Sequence, residues 1–215
     1  MILFIDTTTS YPIVAVIDGC NIKDIYNDKV DSDISVSIFS IIDTMFKKIK
    51  ITPKEIKTIM VANGPGSFTG TRIGVTLAKV YGYSFNIKVI PVSSLEVLAS
   101  TNVKTDYVVP IIDARRGFVF GGIYDRNLNP ILKDSYINLE ELKHNLIEKD
   151  FTIITNDDFE FDTMNSKIDL LKVIDKHIND EGVNPHSLNP NYLKRTEAEE
   201  KLNDRKSNWK GFKYH

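Results

Sequence analysis

Asp6-Thr7-Thr8-Thr9 sets a carboxylate beside three hydroxyls at the end of an apolar run. Such a turn suits a phosphate or a bound water, because hydroxyls and backbone amides converge on it. The same residues also suit a plain hairpin turn, in which they satisfy backbone groups, and this segment alone favours that role. A second loop, Asp113-Ala-Arg115-Arg116-Gly117, places a carboxylate and two guanidinium groups at a hairpin tip. That chemistry fits a phosphate or a partner protein, although surface arginines usually do neither. Asp6, Thr7, Thr8, Thr9, Asp113, Arg115 and Arg116 are therefore the expected nucleotide- or phosphate-like loops.

A third stretch is richer in glycine: Gly64-Pro65-Gly66-Ser67-Phe68-Thr69-Gly70-Thr71-Arg72-Ile73-Gly74. Glycines allow positive φ, and free amides ahead of a helix can hold an anion or a carbonyl. It is not a Walker loop, which needs lysine after its last glycine where this chain has Thr71, and Thr69 stands where G-x-G-x-x-G needs its third glycine. A dinucleotide site is disfavoured. Gly70, Gly74, Ala78 and Gly82 recur every four residues, a ridge with almost no side chain. Glycines inside a helix cost about 1 kcal/mol each against alanine, so close packing must offset them. The ridge fits either the chain's own sheet or a helix of another subunit.

Other chemistries lack their residues. The four histidines, His144, His177, His186 and His215, show neither H-x-x-x-H nor H-E-x-x-H spacing, and Cys20 has no nearby mate, so no metal is expected in this chain. No Ser-His-Asp set can be proposed from spacing. The tail from Lys194 to Lys213 interleaves basic residues with Tyr192, Trp209, Phe212 and Tyr214, a pattern compatible with RNA contact and better read as a solvated face.

The elements that must position these loops follow from periodicity. Leu3 to Ile5 and Pro12 to Ile17 read as strands around the Asp6 turn. Apolar residues from Ile34 to Ile49 recur at helical spacing. Thr52-Pro53-Lys54-Glu55 is a capping box, followed by a buried strand, Thr58 to Ala62. Next come the glycine loop, a helix from Thr71 to Phe85 and a strand at Lys88 to Val92, which together form a parallel crossover unit. Ser93-Ser94-Leu95-Glu96 caps a short helix, and Thr101 to Asp106 reads as a linker. Tyr107 to Asp113 and Phe118 to Tyr124 make a second hairpin that repeats the first in outline. A helix over Leu139 to Glu148, a strand at Phe151 to Thr155 and a helix near Ser166 to Asp175 complete the set. Residues 1–103 and 104–215 are the expected N-terminal and C-terminal lobes, the second with a polar tail.

At 215 residues, with 42% hydrophobic and 26% charged residues, the chain has the composition of a globular protein that builds a true core. A net charge of -2 offers no general attraction to nucleic acid, which leaves RNA contact to a local patch or a partner. Its first residues read as a core strand rather than a leader, and a single cysteine suits a reducing compartment, so the cytoplasm is expected, with no membrane contact.

Taken in order, the Asp6-Thr-Thr-Thr turn, Gly64 to Gly74, Val92-Ser-Ser-Leu95, Asp113-Ala-Arg-Arg-Gly117 and Pro190-Asn-Tyr-Leu-Lys-Arg195 resemble the TsaB family over nearly the whole length. The resemblance implies an α/β fold of two ribonuclease-H-like lobes of the actin and sugar-kinase (ASKHA) superfamily, with mixed sheets and flanking helices. It also implies a non-catalytic partner of the TsaD transferase, working with the ATPase TsaE in N6-threonylcarbamoyladenosine modification of tRNA next to the anticodon. Under it this chain needs no cofactor, ATP and metal belong to the partner subunits, tRNA is met through the complex, and a homodimer is open to the chain when alone. An ATP-dependent small-molecule kinase of the actin-like superfamily and a metallopeptidase-like protein are the alternatives. Within the resemblance the family motif comprises Gly64, Pro65, Gly66, Ser67, Phe68, Thr69, Gly70, Arg72 and Gly74. Ile38, Ile42, Met45, Gly70, Gly74, Ala78 and Gly82 are the expected partner interface.

Overall fold

The computed structural model of the chain describes residues 1–30, 34–147 and 150–194. Two mixed sheets form its frame. The first has the order β3-β2-β1-β4-β5, built from β1 (Ile2–Asp6), β2 (Ile13–Asp18), β3 (Asn21–Tyr26), β4 (Thr58–Ala62) and β5 (Lys88–Val92). β1 pairs antiparallel with β2 and parallel with β4, so the chain leaves the hairpin, crosses through a helix and returns alongside β1. The second sheet has the order β8-β7-β6-β9, with β6 (Tyr107–Asp113), β7 (Phe118–Asp125), β8 (Pro130–Asn138) and β9 (Phe151–Ile154). Its β6 likewise pairs antiparallel with β7 and parallel with β9. The expected repeat of the hairpin plan is present in both sheets.

The continuous apolar runs of the first sheet are explained by burial on both faces. Along β1, Leu3 and Ile5 join Val14, Val16, Ile59 and Val61 under α1 (Ile34–Ile49) and α2 (Phe68–Phe85). Their neighbours Ile2 and Phe4 point the other way, as the two-residue period of a strand requires. They join α3 (Ser94–Ala99), α5 (Leu170–His177) and, from the second sheet, Val108, Ile112 and Tyr124. One apolar cluster thus binds the inner faces of the two sheets together. The outer face of the second sheet carries Val109, Ile111, Val119 and Ile123 against Leu142 of α4 (Leu139–His144).

Boundaries differ from expectation where local capping outweighs periodicity. α2 starts at Phe68 rather than Thr71, because the Ser67 hydroxyl accepts from the Gly70 amide and caps the helix three residues early. At the Thr52 turn the Glu55 carboxylate takes the Thr52 amide at 2.7 Å, but the helix is a single 3-10 turn, Pro53–Glu55. α4 ends at His144, short of the expected Glu148, which lies outside the described residues. α5 runs Leu170–His177, capped by the Asp169 side chain. β3 and β8 are strands whose exposed faces hide the alternation that would reveal them. Except for Lys194, the basic tail lies outside the described residues.

Candidate functional site: the loops and the outer helix face

The Asp6 turn and the glycine loop meet, and each completes the other. Asp6 is buried, and its carboxylate accepts from the Thr8 amide at 2.8 Å and the Thr8 hydroxyl at 2.6 Å. Burial pushes the Asp6 carboxyl above the usual range, against the pull of those two hydrogen bonds. Thr7 donates its hydroxyl to the Gly70 carbonyl, and the Thr8 carbonyl takes the Ser67 amide. From the other side, the Ser94 hydroxyl donates to the Pro65 carbonyl and the Ser94 amide to the Gly64 carbonyl. Gly64 and Gly66 hold positive φ, and a Cβ on Gly66 would lie 2.5 Å from the Thr8 carbonyl oxygen. The Gly64–Pro65 bond is cis.

This geometry corrects the expectation of a phosphate-like loop at Asp6, Thr7 and Thr8. The Thr7 hydroxyl and the Thr8 carbonyl lock the first hairpin to the start of α2, and Asp6 holds Thr8 through Oδ1; Thr9 is half-buried. The second loop is different. Asp113, Arg115, Arg116 and Gly117 form an exposed tip in which the Arg115 amide donates to Asp113, and both arginines hold positive φ. Asp157 accepts the Asp113 amide and is raised by burial and by the charge of Asp113. Among the described residues no group of three metal-ligating side chains converges.

The small-residue ridge is also corrected. Gly70, Gly74, Ala78 and Gly82 face the chain's own sheet: a Cβ on Gly70 would lie 1.9 Å from the Thr7 carbonyl oxygen, one on Gly74 2.6 Å from the Thr7 hydroxyl, and one on Gly82 2.6 Å from Val89. Ile38, Ile42 and Met45 are buried in the same core. None of these residues is free to meet another subunit, because helix-on-sheet packing already uses them.

The opposite face of the same two helices is where apolar surface lies open. Val36 and Phe39 of α1, and Phe68, Val80 and Tyr83 of α2, are 49–73% exposed. Between them runs a groove of about 340 Å³ lined by Ser35, Phe39, Phe68, Thr69, Arg72, Ile73, Thr76, Leu77 and Val80. Thr69, Ile73, Thr76, Val80 and Tyr83 alternate four and three residues apart, the spacing of one helix face. That stripe was readable in the sequence beside the glycine ridge; which of the two would be covered was not.

Sequence reasoning missed one more cluster. Asp134 on β8 accepts from the hydroxyls of Ser93, at the start of α3, and Tyr124 on β7. One turn on, Glu96 pairs with Lys176 at 2.7 Å and His177 at 2.9 Å. These groups tie the first sheet's last helix to the second sheet and α5. They come from four separated segments, so no local motif announces them.

Comparison with known proteins agrees with this architecture. The family model described as "TsaD: tRNA N6-adenosine threonylcarbamoyltransferase" matches residues 28–168. The "tRNA threonylcarbamoyladenosine biosynthesis protein TsaB" of Bacillus subtilis is 34% identical over 157 residues, covering 71% of this chain and 69% of the relative. Its namesake from Buchnera aphidicola subsp. Schizaphis graminum is 30% identical over 138 residues, 59% of this chain and 61% of the relative. In fold, the chain is similar to the solved structure of YeaZ from Pseudomonas aeruginosa, with a TM-score of 0.75 at 19% identity over 89% of this chain and 99% of that one. With the Gly64–Gly74 loop, the paired sheets and these matches together, the chain belongs to the TsaB family.

Proposed function

We propose that this chain serves tRNA N6-threonylcarbamoyladenosine biosynthesis as a non-catalytic partner of a TsaD transferase, acting with a TsaE ATPase, and that it docks through the outer face of α1 and α2. The observation that carries the docking role is the open apolar face of Val36, Phe39, Phe68, Val80 and Tyr83, a patch of the kind that marks an interaction surface. A role without catalysis is supported by the internal use of these loops: Asp6 Oδ1 holds Thr8, and the Ser67, Gly70 and Thr71 amides hold the start of α2. Both the kinase and the metallopeptidase readings need groups free to hold a phosphate or a metal. Under the proposal ATP and metal reside on the partners, tRNA is met through the complex, and the work is done in the cytoplasm. No helix among the described residues is long and apolar enough to cross a membrane.

Reconstitution tests the whole reading. TsaD, TsaE, tRNA and a threonylcarbamoyl-adenylate donor are combined with and without this chain, and modified adenosine is measured. Modification that depends on the chain supports the proposal. Modification at the same rate without it, or tight ATP binding by the chain alone, overturns it.

A further inference from the structure

Arg72 is the one charged residue in the lining of the apolar groove. Its guanidinium carbon sits 3.7 Å from the centre of the Phe68 ring and 5.8 Å from that of Tyr192, and its Nε donates to the Tyr192 hydroxyl at 2.7 Å. The two rings lie 5.4 Å apart, so the side chain is held in place before any partner arrives. Tyr192 itself is supplied by a distant segment, fixed where the Asn63 side-chain amide donates to the Asn189 carbonyl and the Asn191 amide donates to the Asn63 carbonyl. The remaining guanidinium nitrogens, Nη1 and Nη2, carry no hydrogen-bond partner among the described residues.

A guanidinium fixed at the edge of an apolar groove, with its outer fork unpaired, matches a carboxylate in two-pronged geometry. Apolar contact over the groove would exclude water and strengthen that pair. We infer that Arg72, held by Phe68 and Tyr192, selects the partner: the protein that docks on α1 and α2 brings an apolar helix face carrying a carboxylate, which Arg72 binds. This rests on the docking role proposed above. A second copy of the chain fits less well. A two-fold interface sets a patch against itself, and the groove lining holds Arg72 and no acidic residue, so two copies would bring arginine to a surface without its counter-charge.

The test measures binding of the full chain to the TsaD protein of the same organism by calorimetry, with Val80→Asp as a control for docking itself. Arg72→Ala is expected to weaken binding by roughly 30-fold or more, the loss typical of removing one member of a desolvated charge pair. Arg72→Lys should fall between Ala and the native chain, because it keeps charge and loses the fork. Tyr192→Phe, which keeps the ring and removes the hydrogen bond, should weaken binding by a few-fold and leave thermal unfolding in place. Added salt should weaken the native complex more than the Arg72→Ala complex. Among Asp and Glu→Arg changes on the TsaD surface, one should restore binding to Arg72→Glu. Native affinity for Arg72→Ala and Arg72→Glu alongside failure of Val80→Asp overturns the role of Arg72 and leaves the docking face standing. Native affinity for all of them overturns both. Self-association through this face as tight as the TsaD complex overturns the choice of occupant.

Discussion

Thr7 and Gly70 grip each other in two ways: the Thr7 hydroxyl donates to the Gly70 carbonyl at 2.7 Å, and the Gly70 α-carbon abuts the Thr7 carbonyl oxygen so closely that a Cβ would lie 1.9 Å from it. The first hairpin and the start of α2 therefore fold as one unit, and the loop that looks like an anion cradle serves to join them.

Gly70→Ala is expected to destabilise the chain by about 2 to 3 kcal/mol, the range of overpacking in a tight core, with backbone rather than a movable side chain in the way. Gly74→Leu should cost at least as much. Urea unfolding followed by circular dichroism measures both. A native midpoint for Gly70→Ala would show that the ridge does not carry this packing, and any loss of partner binding in a folded Gly74→Leu chain would reopen a direct interface role.

Val80→Asp lies on the other face of the same helix, on a side chain 53% exposed. Its effect on stability should stay within about 0.5 kcal/mol, as for most surface changes. Partner binding should weaken by about 2 kcal/mol or more, the loss seen at the centre of an apolar interface. Co-purification with TsaD and a thermal melt separate the two effects. An unchanged complex removes α2 from the docking surface.

Asp6→Asn keeps an acceptor for Thr8 and removes the charge, whereas Asp6→Ala leaves the Thr8 amide and hydroxyl unpaired at a cost of about 1 to 3 kcal/mol for each group. A non-catalytic chain with Asp6→Asn should support tRNA modification at close to the native rate in reconstitution. Complete loss of modification by a folded Asp6→Asn chain would instead assign the carboxylate to the chemistry.

The ion pairs of Glu96 predict a stability optimum in pH. The Glu96 hydrogen bond holds His177 above its ordinary value of 6.5, against the opposing effect of burial and with help from Asp180. A raised folded pKa means that this contribution is complete below 6.5 and disappears as pH climbs through the raised value. Burial pushes Glu96 upward, but His177 and Lys176 outweigh it and leave the carboxyl below its ordinary 4.5; that contribution is present above 4.5 and is lost as pH falls through the lowered value. Urea midpoints across pH should therefore peak between the two. His177→Gln should lower stability by about 1 kcal/mol on the acid side of the histidine titration and flatten its alkaline side. A native pH profile in that variant would show that the pair contributes nothing.

Much of the scaffold was legible in the residues themselves. Burial of β1 on both faces follows from an unbroken apolar run, and the helical period of α1 follows from Ile34 through Ile49, because both patterns are local consequences of backbone geometry. The strand–loop–helix–strand order around Gly64 to Gly74 is local in the same sense, as is the motif that carries the family resemblance. What sequence could not decide was the use of surfaces. α2 carries two stripes, one of glycines and one of Thr69, Ile73, Thr76, Val80 and Tyr83, and each could have faced a partner. Only the packed fold shows the glycines pressed on Thr7, Ile5 and Val61 and the other stripe left open. Arg72 with Tyr192, and Asp134 with Ser93, are joined across 120 and 41 residues. Local preference along the chain determines which residues form an element and which side of it is apolar; chain topology alone determines which distant group arrives to cover it.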